Sequence, residues 1–480
     1  MIFIQNYIGG KLIDPAKKDY LDNYDPSTSK VYSQVPDSDE RDVELAVEAA
    51  RYAFEEWANT PAEKRCKILL NIADLIDKNL DQLSEIESID NGKPKKLAAT
   101  LDIPRASSNF RFFATAALQF HSESHAMESS AINYTLRQPI GIAGCISPWN
   151  LPLYLFTWKI APALAAGNCV IAKPSEITPM SAYELSKICI QAGLPPGVLN
   201  IIYGQGQKCG AAIVKHPDIK AISFTGSTRA GKEIAAIAAP MFKKLSLELG
   251  GKNPTIIFAD CDFDKMLKTT ITSSFSNQGE ICLCGSRIII EKPIYEKFKS
   301  AFITETENLK IGDPLENDTQ MGAIVSRQHF DKINYHIQLA KEEGGNILTG
   351  GNTKHISGRC GEGWFIEPTV IEGLPWNCRT NQEEIFGPVV TLIPFETEQE
   401  AINLANSTEY GLAASIWTEN LACAHRVSAM VQSGIIWINC WLLRDLRTPF
   451  GGMKNSGAGR EGGNEAMRFF TEAKNICLKL

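Results

Sequence analysis

From residue 141 to residue 276, short apolar runs alternate with longer stretches of helical periodicity, and few architectures accept that pattern. The runs at 141–147, 168–172, 198–202, 219–224, 243–248 and 254–258 predict strands. The stretches at 152–166, 179–192, 207–215, 229–239 and 262–276 predict helices. Strands separated by helices of this length imply right-handed crossovers and a parallel sheet covered on both faces, an α/β fold. Ligands of such sheets bind beyond the carboxyl ends of the strands. Asn150, Lys173 with Glu176, Gly204 with Gly206, Gly226-Ser227 and Glu248 all fall at those ends. Helical periodicity also covers 42–57, 62–87 and 99–119. A second α/β region, with strands near 287–291 and 435–439, extends to about residue 450. The alternating tail 475–480 predicts an edge strand that joins a neighbouring sheet, here one on another subunit.

At 480 residues the chain can hold two or three domains with full cores. A net charge of −7 with interspersed signs argues against nucleic acid or an anionic membrane as partner. The apolar stretch 141–172 contains Asn150, Lys159 and three prolines, so buried sheet explains it better than a membrane span. The N-terminus lacks the basic and long apolar regions of a secretory signal. Thirteen cysteines, an odd number with no Cys-x-x-Cys pair, predict free thiols in a reducing, cytoplasmic setting. His121 and His125 stand four apart without further ligands, so no metal is expected.

Two residues carry the chemistry. Cys282 follows a polar, glycine-containing turn that closes a helical run, and Glu248 ends a strand. A thiol that becomes a thiolate and a carboxylate that takes a proton are the parts needed for covalent catalysis on a carbonyl. Asn150 offers a side-chain N–H to a developing oxyanion. Gly226-Ser227 opens a helix whose free N–H groups suit a pyrophosphate, and Glu176 beside Lys173 suits an adenosine ribose and repels a 2′-phosphate. NAD is therefore expected rather than NADP. The reading requires the sulfur, the amide and the acid to converge on one cavity with the nicotinamide.

In this order, seven segments resemble the NAD(P)-dependent aldehyde dehydrogenase superfamily over nearly the whole chain. They are Pro148-Trp149-Asn150, Lys173-Pro174-Ser175-Glu176, Phe224-Thr225-Gly226-Ser227, Leu247-Glu248-Leu249-Gly250-Gly251-Lys252, Asn277-Gln278-Gly279-Glu280-Ile281-Cys282, Glu383-Glu384-Ile385-Phe386-Gly387-Pro388 and Pro449-Phe450-Gly451-Gly452. The resemblance implies Cys282 as nucleophile, Glu248 as general base and Asn150 as oxyanion donor. It implies NAD contacts from Ile146, Trp149, Lys173, Glu176, Gly206, Gly226, Ser227, Glu384 and Phe386. It also implies a Rossmann-type NAD-binding domain (1–119 and 140–250), a catalytic domain (251–465), an oligomerisation element (120–139 and 466–480) and a homodimer or homotetramer. Glu280 departs from the uncharged residue usual there, and its side chain is expected to point away from the thiol.

The segments 437–450 and Asp102-Ile103-Pro104-Arg105 are similar to the subgroup that oxidises 2-aminomuconic or 2-hydroxymuconic 6-semialdehyde. Those substrates carry a carboxylate at the end opposite the aldehyde. Arg105 and Arg444 are expected to hold it by charge-assisted hydrogen bonds. The bland alternative pairs Arg444 with Asp445 at the surface. Other readings keep the fold but take an uncharged or different aldehyde (betaine aldehyde, retinal), pass the acyl group to coenzyme A, or make the chain a catalytically silent NAD-binding protein.

Overall fold

A computed structural model describes all residues, 1–480. Five parallel strands form the middle of an eight-stranded sheet: Lys244–Glu248, Ile219–Thr225, Ile142–Ile146, Cys169–Lys173 and Leu199–Ile201, in that spatial order. Their near-continuous apolar character follows from burial on both faces; every residue of Ile142–Ile146 and Cys169–Lys173 is buried. The chain runs outward from Ile142–Ile146 to Leu199–Ile201, then returns to the other side of its starting strand. That reversal opens a crevice between the ends of Ile142–Ile146 and Ile219–Thr225, where Pro148-Trp149-Asn150 and Gly226-Ser227 stand. Antiparallel strands close both edges: Asn6–Ile8 with Lys11–Ile13 on one side, Gly457–Ala458 on the other. Residues 457–458, within the expected catalytic domain (251–465), thus pair with the first sheet.

The second sheet has seven strands, in the order Asn346–Thr349, Thr369–Glu372, Val389–Phe395, Gly285–Glu291, Asn253–Ile257, Ala413–Trp417 and Ile435–Ile438. All of its pairs but the first are parallel. Gly250-Gly251 links the two sheets, so Glu248 and Cys282 lie on opposite sides of that junction.

Three expectations are corrected. The helix expected over 62–87 divides into Ala62–Lys78 and Leu80–Asn91. Asn79 Nδ2 donates to the carbonyl of Leu75 at 2.8 Å, a side chain competing with the ladder for a backbone acceptor. The helix expected over 99–119 opens as a wide π-turn, Ala98–Asp102, before Ile103–Gln119. Pro104 has no N–H to donate back into that turn, and a wider turn accommodates the loss. The terminal strand is longer than expected, Thr471–Lys479, and one of its edges pairs antiparallel with Ala131–Pro139 of its own chain. Ser124–Met127 completes this three-stranded sheet. Its Thr471–Lys479 edge keeps one side unpaired.

Candidate active site

The crevice widens into a cleft of about 430 Å³. Pro148, Trp149 and Asn150 form one wall, Thr225, Gly226 and Ser227 another, and Gly250, Cys282, Glu384 and Phe386 lie between them. Its glycines are there for space. A Cβ on Gly226 would stand 2.5 Å from the Phe224 ring, and one on Gly250 would stand 2.3 Å from Glu384 Oε2. Without that Cβ, Glu384 reaches the backbone, and the Gly251 N–H donates to its Oε1 at 2.8 Å. Ser227 caps helix Thr228–Ala238 by accepting from the Ala230 N–H, so the first turn turns its free N–H groups to the cleft. Trp149 meets Phe386 edge to face at 5.3 Å between centroids. Phe386 is held with φ +62°. These features fit a dinucleotide: open backbone donors at a helix start, a carboxylate at the far wall and flat apolar surfaces beside it.

Lys173, Glu176 and Gly206 stand together outside that lining, at the ends of the next two strands. Lys173 Nζ donates to Glu176 Oε2 at 2.9 Å, and the Gly206 N–H to Glu176 Oε1 at 3.4 Å. Burial pushes the Glu176 carboxyl up, but Lys173 and that backbone N–H outweigh it and hold the group below its usual value. A fixed negative charge there would repel a phosphate brought beside it. Ile146 is buried at its strand end and does not line the cleft.

Cys282 is delivered by a turn of uncommon backbone. Asn277, Gln278 and Gly279 all have positive φ, 52°, 56° and 71°. At Gly279 a side chain would strike the Gly387 carbonyl at 2.3 Å. Asn253 Nδ2 then clamps the loop, donating to the carbonyls of Cys282 at 2.7 Å and Cys284 at 2.9 Å. Glu280 does point away, into the core: the Val325 N–H donates to its Oε1 at 3.2 Å. Its backbone carbonyl instead accepts from Asn150 Nδ2 at 2.9 Å, which fixes the amide plane.

On its other side Cys282 opens onto a narrow inner cavity lined by Arg105, Tyr154, Glu248, Ile281, Arg444 and Glu461, among others. Asn150 faces only the cleft, and Glu248 only the inner cavity. Cys282, with Thr225 and Leu249, lines both, so the sulfur stands where the cleft holding the amide meets the cavity holding the acid. Both carboxyl oxygens of Glu248 are buried without a hydrogen-bond partner. Burial first, then the neighbouring Glu461, raises that carboxyl well above its usual range against the opposing pull of Lys159, Arg460 and Arg444. The Cys282 thiol is also pushed up, by burial and then by Glu384 and Glu248. Both groups thus favour their protonated forms more strongly than a free thiol or carboxylate does.

Arg444 does not pair with Asp445, which is bound by Arg447. Its guanidinium lies over Trp158 at 4.0 Å and Phe450 at 4.1 Å, and Nη1 donates to the Tyr154 hydroxyl. Nη2 is buried with no partner. Arg105, half-buried, lines the same cavity from helix Ile103–Gln119. No cluster of three or more His, Cys, Asp or Glu residues is arranged to hold a metal ion.

Comparison with known proteins decides the family. The model of the "Aldehyde dehydrogenase family" matches residues 13–476. The chain belongs to the aldehyde dehydrogenase family. Among curated members it is 48% identical over 482 residues to a 2-aminomuconic semialdehyde dehydrogenase of Bos taurus, covering 100% of this chain and 99% of that one. It is 43% identical to a 2-hydroxymuconic semialdehyde dehydrogenase of Pseudomonas sp. (strain CF600), covering 99% of each. A solved NAD⁺ complex of an aldehyde dehydrogenase from Bacillus cereus superposes with a TM-score of 0.96 at 36% identity, covering 99% of this chain and 96% of that one.

Some residues of this aldehyde dehydrogenase's inner cavity were missed in the sequence. Glu461 accepts from Lys159 Nζ at 2.8 Å and from Ser223 Oγ at 2.9 Å beside Glu248. A lysine inside the wholly buried helix Pro152–Ala165 was the available signal.

Proposed function

We propose that this chain oxidises a semialdehyde bearing a distant carboxylate, 2-aminomuconic or 2-hydroxymuconic 6-semialdehyde, to the dicarboxylic acid with NAD⁺. The observation that carries the substrate reading is the unpartnered Nη2 of Arg444, buried in an aromatic cage on the same cavity as Cys282. Burying a guanidinium N–H without an acceptor is costly, and a substrate carboxylate would relieve it. Arg105 offers the second guanidinium. Full-length relatives named for muconic semialdehydes support the same reading.

Trp149, Gly226, Ser227, Glu384 and Phe386 would hold the nicotinamide half of NAD, with Lys173, Glu176 and Gly206 toward the adenosine and Ile146 packed behind them. Bound there, NAD⁺ supplies the hydride acceptor. Cys282 passes its proton to solvent at the cleft and its sulfur bonds to the aldehyde carbon; the C=O π pair moves onto oxygen, giving a thiohemiacetal oxyanion that Asn150 Nδ2 and the Cys282 backbone N–H stabilise. Loss of hydride leaves a thioester on Cys282. Glu248, on the other side of the sulfur, takes a proton from water; the hydroxyl adds to the thioester carbon and the C–S bond breaks. The two-sided placement separates the oxyanion donor from the base, and the shared residue is the one that bonds the substrate.

In steady-state NADH formation, 2-hydroxymuconic 6-semialdehyde should exceed betaine aldehyde and retinal in kcat/KM by about 100-fold or more, as two charge-assisted hydrogen bonds imply. A cation gains nothing beside Arg444, and an uncharged aldehyde leaves it unpaired. Equal values across the panel would remove the carboxylate from the account, and no NADH with any aldehyde would revive the silent protein.

A homodimer or homotetramer fits the small third sheet, whose free edge strand ends in the exposed Leu478 and Leu480. Truncation after Phe469 should lower the assembly mass in solution by light scattering; an unchanged mass would place the interface elsewhere. A reducing compartment such as the cytoplasm suits thirteen cysteines of which none is paired.

A further inference from the structure

Behind Asn150 lies a second group of charges that the chemistry above does not use. The side chains of Glu87, Lys93 and Asp102 are completely buried. Lys93 Nζ donates to Asp102 Oδ2 and, at 3.0 Å, to the backbone carbonyl of Asn150. Glu87 stands 3.8 Å from Lys93 through Oε1, and its Oε2 accepts from the Leu153 N–H at 3.1 Å. The same Asn150 carbonyl accepts from Asn277 Nδ2 at 3.1 Å. Burial raises the Glu87 carboxyl above its usual range, against the pull of Lys93.

Asp102 closes the π-turn Ala98–Asp102, and its neighbours Leu101 and Arg105 both line the inner cavity. A buried ion pair is a poor way to add stability, because desolvation offsets most of the attraction and apolar packing serves as well. What it does provide is fixed geometry. Resting on the assignment of Asn150 as oxyanion donor, we infer that Lys93 is a positioning residue: it ties the Asn150 peptide to the segment that presents Arg105. The donor for the oxyanion and one reader of the substrate carboxylate then move as a single unit. A substrate seated correctly at its acid end finds its carbonyl oxygen at the amide.

The test is a double-mutant cycle between Lys93→Met and Asn150→Ala, read as kcat and KM separately. Lys93→Met should lower kcat for the semialdehyde acid by about 10- to 100-fold, a part of what one oxyanion donor contributes, with KM within about 3-fold. In the Asn150→Ala background the same change should cost no further kcat. Equal losses in both backgrounds, or a folded Lys93→Met enzyme with the wild-type kcat, would overturn the proposal. If Lys93→Met does not fold, Lys93→Met with Asp102→Asn removes both charges together, and the same two patterns decide. An Asn150→Ala enzyme with unchanged kcat would instead refute the oxyanion assignment and take this inference with it.

Discussion

Glu248→Gln should form the first NADH of each active site almost normally and slow every later one by about 10²- to 10⁴-fold. The two sides of Cys282 separate the steps. Addition and hydride loss face the cleft with Asn150, whereas hydrolysis needs a base on the inner side, and Glu248 is the carboxyl there whose two oxygens have no partner. Gln fills the same space, including the room that Gly451 leaves beside Glu248 Oε1, but accepts no proton. A burst of NADH near one equivalent should be followed by a stalled thioester, visible as added mass on the peptide containing Cys282 and absent after Cys282→Ala. The sign of the pH dependence follows from the raised carboxyl. A base works only when deprotonated, so deacylation in the wild type should climb as pH rises through that elevated value and level off above it. The Gln variant should lose this rise in its slow phase. Unimpaired steady turnover would mean that water is activated elsewhere.

Much of this was legible because the informative residues sit where local pattern and topology agree. Fully buried parallel strands read as apolar runs, so Ile142–Ile146 and Cys169–Lys173 fall within a residue or two of their expected bounds. Ligand-facing residues follow from the strand ends. That Cys282 joins the cleft holding Asn150 to the cavity holding Glu248 was not legible, because it depends on how the two sheets pack together. Neither were the pairs Lys159–Glu461 and Lys93–Asp102. The first joins residues 302 apart in the chain, and no local period encodes that. The break at Asn79 and the π-turn before Ile103 turn on one side-chain hydrogen bond and one missing N–H, which an apolar stripe does not register.

Arg444 carries the second large effect. Its partnerless Nη2 and its place between Trp158 and Phe450 leave a preoriented N–H donor in the cavity of Cys282, one that a substrate carboxylate would accept from. Hydrogen bonds to a charged partner in such surroundings contribute about 1.5–3 kcal/mol each, so a two-pronged contact corresponds to about 10²- to 10⁴-fold in kcat/KM. Arg444→Gln keeps polar N–H groups but removes the charge, and the ring faces of Trp158 and Phe450 keep the cavity closed to water. The loss should appear mostly in KM if the carboxylate is held equally throughout the reaction. The decisive measurement is kcat/KM for 2-hydroxymuconic 6-semialdehyde and for its methyl ester, in the wild type and in Arg444→Gln. The wild type should favour the acid by about 10²-fold or more, and Arg444→Gln should bring the two substrates within a few fold by losing the acid alone. Equal selectivity in both enzymes, or an ester that serves the wild type as well as the acid, would contradict the account.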